Sequence, residues 1–416
     1  MKSRSYVPTY LCLITLVLTA CATKPIPTQP PQPPEEYLSN ALDWIETHSL
    51  KLNTVDWPAV RAQALAMAPH PQTTADTYPA LQFAVTQLGD SITFFSTASQ
   101  VKKPLTEFGF DAFYPQAVLI SIRPGGPAQR AGLRVGDVIE TIKGAPPKPY
   151  LGTPFLNFYD DSTIDITIRR AGQDQPIAVT LDEVPYVPPE PGGRRITMNQ
   201  VNLGYVELPT TFGWELYPTL AQRIIREVDQ AGTCGWILDF RRNYTGDLWS
   251  YIAAMGPVLG EGEVGGFVYL DGTRDSWRYL EGKVFWGRNE RDEDLVEGQI
   301  YEVKHPMLPV ALLTSHATMA AGELAVIAFQ GRPDVRIFGE TTAGNPFLAF
   351  STGFSDGAVI QVSSAFSMDR TGRIYKDSIE PDQPVSTDWK KFGTENDPVI
   401  TAAQNWLLEQ PACGQK

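Results

Sequence analysis

Histidine and cysteine are scarce in this chain: each occurs four times in 416 residues. No two of either stand at a spacing that ligates a metal, so no metal site is expected, and no cofactor. Basic residues are outnumbered as well, 34 Lys and Arg against 47 Asp and Glu, which gives a net charge of -13 and a pI near 4.9. Nucleic acid and anionic membrane surfaces both require dense positive charge, so neither is an expected partner. Past the N-terminus no apolar run is long enough to cross a bilayer. What is present is a globular composition, 43% hydrophobic, over a length that exceeds one core and points to two or three domains.

The N-terminus carries Lys2 and Arg4, an apolar run over 10–19, and then Leu18, Thr19, Ala20 and Cys21. Small residues before a cysteine resemble a bacterial lipoprotein signal over 1–21, which implies that Cys21 is lipidated and becomes the first mature residue. Ala22 stands where an inner-membrane retention signal would show aspartate, so the resemblance favours the outer membrane, facing the periplasm. An ordinary signal peptide or a short anchor is the alternative. Residues 22–35, with Pro25, Pro27, Pro30, Pro31, Pro33 and Pro34, read as a stiff tether. Cys12 leaves with the signal, so Cys234 and Cys413 remain as a pair in a compartment that permits disulfides. A bridge would pin the C-terminal tail; a buried Cys234 with an idle Cys413 is the other reading, because spacing says nothing of Cβ geometry.

Three textures follow. Over 36–100 Tyr37, Leu38, Leu42, Trp44 and Ile45 recur at helical intervals, and Asp56 before Trp57 and Pro58 marks a helix start. Over 101–183 short apolar runs are broken by Gly and Pro, the pattern of strands and turns. A proline-rich linker occupies 184–193. From 194 to 416 strands alternate with helices, the latter including 220–232 closed by Gly232, so an α/β layer with parallel strands and functional loops at their carboxyl ends is expected.

Within the second segment, Gly126, Pro127 and Ala128 through Leu133, followed by Val135 to Ile139, resemble a PDZ domain. Glu107, Phe108, Gly109 and Phe110 upstream fit its carboxylate loop, which implies that backbone amides at Phe108, Gly109 and Phe110 receive a peptide's terminal carboxylate.

The order of LDFRRNYTGDLW, TMAAGE, GETTAGN, FSDGAVIQVSSAF and IEPD resembles the carboxyl-terminal processing, or tail-specific, serine peptidases, in the branch related to the tricorn core and retinol-binding-protein-like repeats. The resemblance implies an α+β multidomain chain: an N-terminal helical unit, a β-barrel-like PDZ domain and a ClpP/crotonase-like α/β core. Active members carry serine at the third position of T-x-S-x-G-E, at a strand-to-helix turn whose helix-end amides face the developing oxyanion. Here Thr318 to Glu323 place Ala320 there, and a methyl group cannot attack a carbonyl. One branch draws its base from the lysine of G-E-x-T-x-G-K, where this chain has Asn345; the other from the histidine of G-D-x-H-[ST], where it has Ile92. A single engineered knock-out would leave the base in place. Gly246 of the Arg241 to Gly246 loop and Ala321 are the amides that the resemblance assigns to oxyanion binding.

Ser315, Thr318 and Ser91 are the hydroxyls near enough in sequence to substitute as nucleophile, with His316 beside the first two. The expected activity is binding of unfolded or C-terminal protein segments without cleavage. An active peptidase with a rewired nucleophile, and a structural partner or carrier of hydrophobic ligands, are the alternatives.

Overall fold

The computed structural model describes residues 32–90, 92–102, 105–113, 117–147, 162–198, 200–211, 216–230, 232–291 and 295–414. The signal, Cys21 and most of the tether lie outside them, as does Ser91.

The centre is a six-stranded sheet in the order 383–384, 335–339, 310–314, 233–239, 201–207, 192–198, parallel throughout except for the antiparallel edge strand Gly192–Met198. Its inner strands are buried on both faces, which is why they read as continuous apolar runs. Alternation still sorts their side chains. Leu203, Tyr205, Ile237, Ala311, Leu313 and Phe338 face the C-terminal helix Pro398–Leu408. Val206, Trp236, Leu238, Val310, Leu312 and Ile337 face the helices Tyr217–Val228, Leu248–Leu259 and Ala321–Phe329.

Beyond those three helices lies an eight-stranded sheet built largely of antiparallel hairpins, running Phe94–Ser96, Val359–Asp369, Gly262–Val268, Arg274–Leu280, Lys283–Trp286, Asn289–Arg291, with Phe347–Gly353 and Ile374–Tyr375 also paired to Val359–Asp369. Phe267 and Trp277 carry its inner face into the same core as the helices. The helices Pro34–His48, Trp57–Met67 and Tyr78–Gln87 cover its other end, packing through Tyr37, Leu42, Ile45, Leu81 and Val85 against Phe354, Ile360 and Val362. Asp56 caps the second of these by accepting from Ala59 N at 3.2 Å. The five strands Phe110–Phe113, Val118–Ile122, Val138–Ile142, Thr163–Arg169 and Ile177–Asp182 form a separate antiparallel sheet with its own core.

Several details differ from the sequence reading. The segment 184–193, read as a linker, contains the strand Val184–Pro185 and the start of the edge strand Gly192–Met198, and the last two residues of the 22–35 tether open the helix Pro34–His48, where a proline fits the first turn. The helix expected to run to Gly232 ends at Val228, where Asp229 turns out of helical geometry and its carboxylate accepts from Tyr301 Oη at 2.9 Å and Lys304 N at 2.7 Å. Phe94–Ser96, expected at the end of the helical unit, is a strand that joins the eight-stranded sheet.

Cys234 and Cys413 are joined by a disulfide that closes 179 residues and ties the tail after the last helix to the strand Thr233–Asp239. Such a link restricts the unfolded chain, so reduction, or Cys413→Ser, is expected to lower stability by about 3 kcal/mol, read as a drop in the urea midpoint.

Candidate functional site

The strand Val310–Thr314 leads through a tight loop into the helix Ala321–Phe329. Buried side chains shape that loop. Thr314 Oγ1 donates to Glu340 O at 2.8 Å, Ser315 Oγ to Arg241 O at 2.7 Å and Thr318 Oγ1 to Phe240 O at 3.0 Å. Ser315 and Thr318 are fully buried. Their protons are committed to carbonyls and no substrate reaches them, so the described residues give the alternative of a rewired nucleophile at Ser315 or Thr318 no support.

Ala320 caps the helix with φ 49° and ψ -118°, a left-handed conformation for a residue with a Cβ. Such a residue costs on the order of 1–3 kcal/mol and persists only where its surroundings enforce it. Glu323 supplies the enforcement. Its carboxylate, wholly buried, accepts from Ala320 N at 3.0 Å, Asn345 N at 2.8 Å, Gly344 N at 2.8 Å and Thr342 Oγ1 at 2.5 Å, so one side chain staples the elbow to the 342–345 loop.

Burial pushes the Glu323 carboxyl up to about 7, against the pull of those donors. A carboxyl that holds its proton to higher pH when folded stabilises the fold most below its unfolded value, near 4.5, and that contribution is lost as pH rises through 7. Relative to Glu323→Gln, the wild type is therefore expected to lose on the order of 3 kcal/mol between pH 4.5 and 7, with parallel curves outside that window. Thermal unfolding of both proteins across that range checks it.

Ile92 reaches the same place from the other end of the chain. Asp90 folds the preceding turn, accepting from Ile92 N at 3.1 Å, Thr93 N at 2.7 Å and Thr93 Oγ1 at 2.9 Å. Ser363 Oγ donates to Asp90 at 2.7 Å and Gln361 Nε2 to Ile92 O at 2.8 Å, so the turn is fixed to the strand Val359–Asp369. Ile92, Leu50 and Phe347 form an apolar cluster on which Ala320, Ala349 and Phe366 pack. The positions that the resemblance gives to base and nucleophile thus share one hydrocarbon cluster. Asn345, the other base position, lies in the stapled loop with its backbone committed to Glu323.

The loop after the strand Thr233–Asp239 abuts the elbow: Met319 N donates to Asn243 O at 3.0 Å, and a Cβ on Gly322 would lie 2.2 Å from that oxygen. Gly246 has φ 128°, and a Cβ there would meet Thr211 O at 2.5 Å and Tyr251 Oη at 2.6 Å, so only glycine fits. Beneath the loop, Arg241 is fully buried between Asp239 and Asp397 at 2.6 and 2.8 Å.

Phe108 and Phe110 are core residues of the five-stranded unit, and Gly109, at φ 82°, is packed so closely on Pro127 that a Cβ would lie 2.9 Å from it. The side chains of Phe108 and Phe110 therefore belong to that core. One connection was not read from the sequence. Arg123 pairs with Asp111 at 2.6 Å and Glu107 at 3.1 Å, and Tyr244 of the 241–246 loop donates to Asp111 at 3.0 Å, joining the five-stranded unit to that loop. These partners lie far apart in sequence and carry no local signal. Among the described residues no group of His, Cys, Asp and Glu is arranged to hold a metal, and no helix is long and apolar enough to cross a membrane.

Comparison with known proteins adds an independent line. Residues 202–385 match peptidase family S41. The nisin-resistance protein of Lactococcus lactis is 30% identical over 42% of this chain and 50% of its own length. Carboxyl-terminal-processing peptidase 2 of Arabidopsis thaliana chloroplasts is 25% identical over 82% of this chain and 66% of its own. The chain thus spans about half to two thirds of these curated relatives. Among solved structures, the photosystem II D1 C-terminal processing protease superimposes with a TM-score of 0.63 at 21% identity, covering 86% of this chain and 94% of that one. A lipoprotein from Streptococcus agalactiae does so with a TM-score of 0.58 at 16% identity, covering 92% and 98%. At these identities the superpositions speak for the fold alone.

Proposed function

We propose that this chain, whose residues 202–385 match peptidase family S41, is a peptide-binding member of that family that holds extended or C-terminal protein segments without cutting them. The observation that carries this reading is that Ile92 and Ala320 share one apolar cluster, Ile92 as a buried member and Ala320 packed on it. Acyl transfer needs a nucleophile and a base within hydrogen-bond reach, and this pair contains neither a proton to give nor a lone pair to take it. The strained elbow, the Glu323 staple and Gly246 keep the surroundings of a peptide carbonyl without the attacking group.

On the same reading the five-stranded unit is a PDZ domain whose 108–110 backbone receives a terminal carboxylate. Cys21 carries lipid that holds the protein to the outer membrane, facing the periplasm, and the residues between it and the helix Pro34–His48 are its tether. The test is mass spectrometry of an unfolded substrate after long incubation with the full-length protein, alongside anisotropy with a labelled peptide. No new fragments, together with binding that weakens at least tenfold on C-terminal amidation, is the expected result. Fragments from one set of sites that further purification leaves intact would overturn it.

A further inference from the structure

Two lysines flank the disarmed cleft. Lys51 Nζ lies 4.9 Å above the ring of Phe347, and Lys376 Nζ lies 5.3 Å above the ring of Phe366. The two rings meet edge to face at 5.9 Å, and both belong to the apolar floor shared with Ile92 and Ala320. The lysines are fixed from opposite directions. Leu50, beside Lys51, donates its N–H to Ser363 O at 2.8 Å, and Tyr375, beside Lys376, donates to Asp369 at 2.9 Å and pairs with Ser367.

Neither ammonium has a carboxylate within salt-bridge distance among the described residues. In a chain with 47 acidic residues against 34 basic ones, leaving both unpaired beside one site is notable on charge grounds alone. The carboxylates that build the walls are occupied: Asp90 by the turn of residues 90–93 and Ser363, Glu323 by the elbow and its loop. Lys51 is half-buried and Lys376 exposed, so their charges face a bound chain rather than the protein interior. A cation over an aromatic face keeps its attraction for an anion while holding a defined position.

We infer that the disarmed cleft selects extended segments in which an apolar side chain is flanked by acidic residues, with Lys51 and Lys376 as the specificity determinants. The apolar side chain lies on Ala320, Ala349 and Phe366, the partly exposed members of the floor, and carboxylates at the flanking positions take the two ammonium groups. The chain's net charge of -13 disfavours acidic segments in general, so the pair decides register as well as affinity. This rests on the reading of the cleft as a peptide site.

The experiment uses the full-length protein and three peptides blocked at both ends, so that no terminal carboxylate contributes. They share a central leucine flanked by glutamate, by glutamine or by lysine. Fluorescence anisotropy should show the glutamate peptide binding roughly tenfold more tightly than the glutamine one, and the lysine peptide weakest. In Lys51→Gln/Lys376→Gln the glutamate peptide should bind no more tightly than the glutamine one, with the unfolding midpoint retained. Equal binding of glutamate and glutamine peptides, both lost in Ala320→Trp, overturns the selectivity and leaves the cleft reading intact. Binding that Ala320→Trp does not touch, or no binding of any peptide, overturns the cleft reading and this inference with it.

Discussion

The double variant Ile92→His/Ala320→Ser is expected to cleave an unfolded protein that the wild type leaves whole. The elbow that would present the nucleophile is already in place. Position 320 sits at φ 49°, ψ -118°, where the side chain is presented from a strand-to-helix turn, and Glu323 holds that turn without drawing on the side chain. Position 92 packs against the same apolar cluster as position 320. A base contributes about 10²–10⁴-fold, so Ala320→Ser alone should be at least a hundredfold slower than the pair. The double variant should also remain slow beside a natural triad enzyme. Asp90, the carboxylate nearest in sequence to an imidazole at 92, is already engaged by two backbone amides and two hydroxyls and has little left with which to orient it. Fragment yield by mass spectrometry over time ranks the variants. A double variant as inert as the wild type, with an unchanged unfolding midpoint, would mean that the scaffold itself, not two side chains, has lost the chemistry.

How far the sequence reached follows from how local each signal was. The parallel layer was legible because strands such as Thr233–Asp239 are buried on both faces and so are apolar along most of their length. Asp56 was legible as a cap because a cap needs only its own helix. Ile92 and Ala320 were identified by motif position, but their meeting in one cluster is a product of tertiary structure: Ile92 is placed by the strand Val359–Asp369 and Ala320 by Glu323. The eight-stranded sheet was not read. Asp271 with Gly272 and Glu281 with Gly282 mark its hairpin turns between alternating runs, a signal that was available. Phe94–Ser96 had none, since three residues cannot display a period and its strand character comes wholly from its partner. The Arg123, Asp111 and Tyr244 link is of the same kind, made between segments that the fold alone brings together.

Arg241→Met is expected to be the most destabilising single substitution considered, costing about 5 kcal/mol. Arg241 is wholly buried with Asp239 and Asp397, which are wholly buried too, and it donates to all four carboxylate oxygens at distances from 2.6 to 3.1 Å. Burial opposes its charge, but the two carboxylates hold its pKa above the ordinary value for arginine. Removing it leaves two carboxylates without their cation in the interior. Asp239 would keep Tyr205 Oη at 2.8 Å, and Asp397 would keep Val399 N at 3.0 Å and Gly393 N at 2.8 Å, partners too few to replace a guanidinium. The damage should spread, since Asp397 caps the helix Pro398–Leu408 and Arg241 O receives the Ser315 hydroxyl beneath the elbow. Adding Asp239→Asn and Asp397→Asn to Arg241→Met removes all three charges and should recover a substantial part of the loss, because the larger share of the cost lies in stranded charge rather than in a lost attraction. Chemical unfolding of the single and triple variants decides between these. If the triple variant is no more stable than the single one, the network contributes through shape and hydrogen bonding, and the elbow depends on Arg241 as a packed spacer beneath it rather than as a charge.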